Sequence, residues 1–232
     1  MTPHDAGPSL PIALTRDNLA SGKLRDLLAR SAPEIRLLSA DEMRQSLTDA
    51  LDQRPPGEPW VFGYGSLIWN PTIHHLERRA ARVDGWHRRF CLSTPVGRGS
   101  PDNPGLLLGM DQGGTCTGAA FRVDPEILTD ELALLWRREM LTGAYVPRWL
   151  PMQSLDGGTF GHGLLFTINH AAAHYSGPLE PDEVVRRIAT ARGEMGSSRE
   201  YLMHTRDGLR QLGIEDAELE ALARQVEAYK AA

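Results

Sequence analysis

Only two of the 232 residues are cysteine, Cys91 and Cys116, and their positions fit neither C-x-x-C nor zinc spacing. Two thiols cannot build a secreted disulfide framework, so both are expected buried and reduced. No apolar run approaches the roughly 18–20 residues that a membrane-crossing helix needs, which argues against any membrane partner. The opening Met1-Thr2-Pro3-His4-Asp5 lacks the basic and apolar regions of a signal peptide, and the expected compartment is cytoplasmic. A basic surplus is missing as well. Lys and Arg number 25 against 30 Asp and Glu, a net charge of −5, which excludes the broad basic face of a nucleic-acid binder. No repeat or low-complexity segment is visible. Metal-ligand spacing is poor too: His74-His75 cannot both face one site, and His170 and His174 have i, i+4 spacing without a zincin-type carboxylate beside them. With 41% hydrophobic residues, what remains is a soluble globular chain able to bury a core.

Residues 1–59 differ in character from the rest. Pro3, Gly7, Pro8 and Pro11 suit a surface-draped tail over 1–14. Leu19, Leu24, Leu27 and Leu28 then predict a helix, and Ser39 with Glu42 forms a capping box ahead of Met43, Leu47, Ala50 and Leu51 at helical spacing. Arg54-Pro55-Pro56-Gly57-Glu58-Pro59 ends that helix, since proline removes backbone donors and fixes φ. The expected organisation is therefore an N-terminal tail and helical extension over 1–59, packed on a main domain over 60–232.

From Trp60 to Asn169 strands dominate: Ala81–Leu92, Leu106–Met110, Thr117–Val123, Tyr145–Met152 and Gly161–Ile168 end near Gly, Pro or Asp. Period-two alternation puts Trp86, Arg88, Phe90 and Leu92 on one face and His87, Arg89 and Cys91 on the other. Short strands with only one helix among them predict an α+β fold, a small mixed barrel or sheet, over a doubly wound one. Helices follow at the C-terminal end. Pro181 starts one, with Val184, Val185 and Ile188 inward and Gly193 as its stop, and Leu219, Leu222, Val226 and Tyr229 mark another. Between them Ser197 and Glu200 form a second capping box that places Tyr201 in a helical first turn.

Chemistry points to the stretch Val61-Phe62-Gly63-Tyr64-Gly65-Ser66-Leu67. An incoming strand meets a loop whose glycines let backbone N–H groups approach a ligand closely. A dinucleotide fingerprint needs glycine where Ile68 stands, and a nucleophile elbow needs glycine at Tyr64 and Ile68. Two readings stay open: a pocket floor donating amides to an anion, and a tight turn packed by Tyr64, Leu67 and Trp69. A second focus is the internal helix, which Asp124 can cap with Pro125 in its first turn. Leu128, Leu132 and Leu135 follow, and the next step of four lands on Glu139. Such a carboxylate either pairs with Arg137, Arg138 or another arginine, or is buried with a raised pKa for proton exchange.

The run Val-Phe-Gly-Tyr-Gly-Ser-Leu-Ile-Trp over 61–69 resembles the signature of ChaC-type gamma-glutamylcyclotransferases. Further matches follow in order: Gly85-Trp86-His87-Arg88-Arg89-Phe90-Cys91, Arg98-Gly99-Ser100-Pro101 with Pro104-Gly105, Arg138-Glu139 with Gly143-Ala144-Tyr145, and Glu200-Tyr201-Leu202. The resemblance runs from about Trp60 to the C-terminal region and leaves the segment before it uncovered. It implies a compact β-barrel flanked by helices, and cleavage of glutathione into 5-oxoproline and Cys-Gly with no cofactor or metal. It further implies Glu139 as the acid/base, opposite the loop Val61 to Leu67 as the substrate-binding candidate. Of the other substrate-binding candidates, Arg98 either recognises a carboxylate bidentately or is an exposed loop arginine without a role, and Tyr145 and Tyr201 either hydrogen-bond the substrate or close the core. Ala144 stands where many members have glycine, and Ser197-Ser198 where glycine and asparagine are frequent, which opens the question of how the Cys-Gly portion is recognised. Alternatives at this point are a cyclotransferase for other gamma-glutamyl amino acids or amines, a non-catalytic ligand-binding regulatory module, and a metal-dependent hydrolase.

Overall fold

A computed structural model describes residues 13–230. All but the last two residues of the expected tail over 1–14 lie outside the described residues. Leu19, Leu24, Leu27 and Leu28 do not share a single helix. They fall on α1 (Arg16–Ala20) and α2 (Lys23–Ser31), which Ser21-Gly22 separates. The capping box is present at α3 (Ala40–Asp52): the Ser39 hydroxyl accepts from the Glu42 amide at 3.2 Å, and the Glu42 carboxylate accepts from the Ser39 amide at 2.8 Å. Met43, Leu47 and Leu51 of α3 pack on the main core.

The core is a closed five-stranded barrel in the order β1-β3-β2-β4-β5, from β1 (Trp60–Gly63), β2 (Glu77–Thr94), β3 (Gly105–Arg122), β4 (Tyr145–Gln153) and β5 (Thr159–Ile168). Neighbours in that order are antiparallel, and β5 closes the barrel by lying parallel to β1 through Trp60↔Gly163 and Val61↔Leu164. Closure removes the free sheet edges. The two strands expected at Leu106–Met110 and Thr117–Val123 are one strand, β3. Gly113 and Gly114, with φ +96° and +69°, sit opposite Gly85 at a register shift, so the glycines form a bulge that bends the β2–β3 ribbon without ending it. A second shift between Phe90 and Leu92 overturns the simple alternation. Phe90 faces the main core, whereas Cys91 and Leu92 pack with Ala144 and Ile168.

Helix α4 (Leu128–Glu139) starts later than expected, because the Asp124 carboxylate accepts from the Glu126 amide at 3.0 Å and forms a turn rather than a cap. Leu132, Leu135 and Trp136 are fully buried beneath it. After the barrel come α5 (Pro181–Thr190), a two-residue hairpin of β6 (Arg192–Gly193) and β7 (Gly196–Ser197), then α6 (Ser198–Arg210) and α7 (Ala217–Ala228). Gly193 therefore lies in β6, past the end of its helix. The Ser197–Glu200 box caps α6 as expected, with Glu200 N to Ser197 Oγ at 3.0 Å and Ser197 N to Glu200 Oε2 at 2.7 Å.

Candidate active site

The chain leaves β1 at Gly63 and turns through Tyr64 and Gly65 into a single 3₁₀ turn, Ser66–Ile68. Gly65 is dictated by a close approach: a Cβ there would lie 2.6 Å from the Tyr201 hydroxyl, which α6 brings down onto the loop. Facing this loop is the last residue of α4, Glu139. Tyr64, Gly65, Ser66, Leu67, Glu139, Tyr145 and Tyr201 line one small niche together with Leu108 and Phe166. Seven of the expected site residues thus meet at one place. Val61, Phe62 and Gly63 instead lie buried in the barrel beneath the loop.

The niche, about 20 Å³, is large enough for one water-sized group. It joins an outer chamber of about 170 Å³ that shares Ser66, Glu139, Tyr145 and Tyr201 with it. Glu139 therefore stands at the threshold between two spaces. Its carboxylate accepts from the Arg138 Nε at 2.8 Å, and 13% of its side-chain surface is open. The same guanidinium donates to the Ser66 hydroxyl at 2.8 Å and also to Thr72 Oγ1 and the Asn70 carbonyl. The sequence offers Arg138 as one partner for Glu139, but nothing in it places that arginine against Ser66.

Burial pushes the Glu139 carboxyl above its ordinary pKa, against the pull of the Arg138 cation. Three tyrosines surround it, Tyr64 and Tyr201 buried and Tyr145 partly so. Desolvation, and next a neighbouring tyrosine for Tyr64 or Glu139 itself for Tyr145 and Tyr201, raises all three, with Tyr201 pushed up to about 12. They stay protonated at neutral pH. Tyr64 donates to the Phe166 carbonyl at 2.6 Å and Tyr145 to the Leu108 carbonyl at 3.3 Å, so both rings are fixed beside Glu139.

A family model for the ChaC-like protein matches residues 59–229. The chain belongs to the ChaC-like family. It is similar to the "Glutathione-specific gamma-glutamylcyclotransferase" of Escherichia coli (strain K12), 37% identical over 204 residues that span 88% of this chain and 87% of the relative. The human "Glutathione-specific gamma-glutamylcyclotransferase 1" is 31% identical over 187 residues, 75% of this chain and 81% of the relative. Among solved structures, a yeast gamma-glutamyl cyclotransferase specific to glutathione superposes with a TM-score of 0.67 at 22% identity, covering 75% of this chain and 98% of that one. That likeness concerns the ChaC-like fold.

Arg98, the remaining candidate of this ChaC-like chain, lines neither space. Its guanidinium packs behind the site, 5.5 Å from the ring centroids of both Trp69 and Tyr201, and donates to the Ser197 carbonyl at 3.0 Å. Ser198 is wholly buried, accepting from the Leu106 amide and donating to the Arg98 carbonyl, both at 3.1 Å, so it ties that loop to β3. Arg88 is the residue that sequence reasoning left without a role. It is buried, donates to the Tyr64 carbonyl at 2.9 Å, and pairs with Asp216, the N-cap of α7, at 3.1 Å. Its position within Gly85–Cys91 was visible, but its partners come from distant parts of the chain. Among the described residues, no group of three or more His, Cys, Asp or Glu is placed to hold a metal, and no helix is long and apolar enough to cross a membrane.

Proposed function

We propose that this chain cleaves glutathione by cyclising its γ-glutamyl group, with Glu139 as the general acid and base. The observation that carries the reading is a largely enclosed carboxyl of raised pKa, held by Arg138 opposite the Gly63–Leu67 loop. The substrate's α-amino nitrogen attacks its own γ-carbonyl carbon, the amide C–N bond breaks, and 5-oxoproline and Cys-Gly leave with no water consumed. Folding the substrate so that its two reacting atoms meet supplies several kcal/mol of the barrier reduction. Glu139 takes a proton from the ammonium and returns one to the departing nitrogen, a contribution of about 10²–10⁴-fold.

Backbone amides of the Tyr64–Leu67 loop anchor the γ-glutamyl head in this proposal, through its α-carboxylate or the developing oxyanion. Tyr145 and Tyr201 line both the niche and the outer chamber beside Glu139 and flank the head there. Arg98 acts at most through Tyr201, over whose ring it packs. A cytoplasmic setting belongs to the same proposal, since free, buried Cys91 and Cys116 suit a reducing compartment. The test is 5-oxoproline release from glutathione and, side by side, from γ-glutamyl-alanine, with wild type and Glu139→Gln. Release by wild type, lost in a folded Glu139→Gln, supports both reaction and residue; equal turnover by the variant removes Glu139 from the chemistry.

A further inference from the structure

One side of the outer chamber is walled by residues that precede the family match. Leu24 and Leu28 sit one turn apart on α2, and Ile35 follows in the connection to α3; all three line the chamber together with Leu14. Across from them stand Leu92, Leu107 and Ala144. Arg138, the only Lys or Arg lining the chamber among the described residues, is committed to Glu139 and Ser66. The segment is tied down on both sides. Arg16 makes a bidentate pair with the buried Glu131 at 2.6 and 2.9 Å, Asn70 donates to the Leu14 carbonyl at 3.0 Å, and the Leu38 amide donates to the Leu141 carbonyl at 2.9 Å. Ser31 adds a bond to Glu194 at 3.2 Å. The wall is therefore part of the packed structure, with Leu27 anchored against Val96 behind it.

Resting on the proposed reaction, we infer that Leu24, Leu28 and Ile35 select a small apolar side chain on the residue joined to the γ-glutamyl group. The scissile bond must lie at Glu139, and the niche admits only a water-sized group, so the rest of the substrate, including the residue that follows that bond, occupies the chamber. A cysteinyl CH₂–SH fits such a wall. A charged side chain there loses its water and finds the lining charges, Arg138 and Glu139, already paired with each other, which is strongly unfavourable. A pocket of this kind discriminates by about 10- to 200-fold per small apolar group.

The experiment compares kcat/KM for 5-oxoproline release from glutathione, γ-Glu-Gly-Gly and γ-Glu-Lys-Gly, which differ only in the central side chain. Wild type is expected to favour glutathione over γ-Glu-Gly-Gly by about tenfold or more. Leu28→Gln and Ile35→Ala should shrink that ratio severalfold. Leu28→Asp should raise the relative turnover of γ-Glu-Lys-Gly. Melting temperatures accompany each variant, and Leu28→Met and Ile35→Val carry the same ratio test where a harsher change prevents folding. Unchanged ratios in folded variants of an active enzyme overturn the wall and leave the reaction standing. A wild type that releases no 5-oxoproline from any of the three overturns both.

Discussion

The guanidinium of Arg138 joins Glu139 to Ser66, touching the carboxylate and the hydroxyl at 2.8 Å each. It thereby fixes the proposed acid/base relative to the proposed binding loop, across a sequence gap of 72 residues. Because this cation draws the Glu139 pKa down against burial, its removal lets burial act alone. Arg138→Gln should lower kcat by about 10²-fold, as expected for a misplaced proton-transfer group. The acid limb of the kcat profile should also move to higher pH, because the base must lose its proton to work. A lowered kcat with an unmoved limb would mean that Arg138 serves the loop alone.

Glu139 carries a second, opposite prediction for stability. Its native pKa is raised, so between the unfolded value near 4.3 and the native one the folded chain binds a proton that the unfolded chain has lost. Stability contributed by this group is present below that window and declines as pH rises through it. Glu139→Gln should therefore melt higher than wild type at neutral pH, with the gap closing near pH 4. Thermal scans at both pH values check this, and a variant less stable than wild type at neutral pH contradicts it.

Gly65 and Tyr201 are coupled through the 2.6 Å separation between a would-be Cβ and the hydroxyl. Gly65→Ala should destabilise by about 1–3 kcal/mol as an overpacking change. In a Tyr201→Phe background the same substitution should cost clearly less, because the clashing oxygen is gone. A double-mutant cycle by chemical denaturation measures the difference, and strict additivity would falsify the contact.

Asp216 both caps α7, accepting from the Leu219 amide at 3.0 Å, and neutralises the buried Arg88 that holds the Tyr64 carbonyl. Asp216→Ala is expected to cost about 3 kcal/mol, since it leaves a buried charge uncompensated and a helix uncapped. Activity at temperatures well below melting should fall as well, through a raised KM, because Tyr64 loses its anchor. Loss of stability with unaltered KM would limit Arg88 to the packing of α7.

What was legible in the sequence was local. The boxes at Ser39–Glu42 and Ser197–Glu200 are satisfied within one turn and appear where expected. The step of four from Leu135 to Glu139 also delivered the carboxyl to its place. Asp124 misled because an Asp ahead of a proline can close a turn as readily as cap a helix, and the difference lies in backbone angles that composition does not reveal. Leu106–Met110 and Thr117–Val123 read as two strands because the residues between them are polar and glycine-rich, whereas the partner strand with Gly85 accommodates Gly113-Gly114 as a bulge. The bridge from Arg138 to Ser66, the clamp from Arg88 to Tyr64 and the leucine wall were not legible, since each depends on which distant segments the barrel brings together.

The anchoring of α1 and α2 also sets an order of events. Arg16 meets Glu131 and Ser31 meets Glu194, separations of 115 and 163 residues. During synthesis the first helices therefore emerge long before the surfaces that receive them, and such distant contacts are slow to close. The outer half of the cavity is completed only after nearly the whole chain has been made. A nascent chain in which β1 and the 3₁₀ turn already exist has no enclosed site, so the capacity to bind substrate arrives late and all at once.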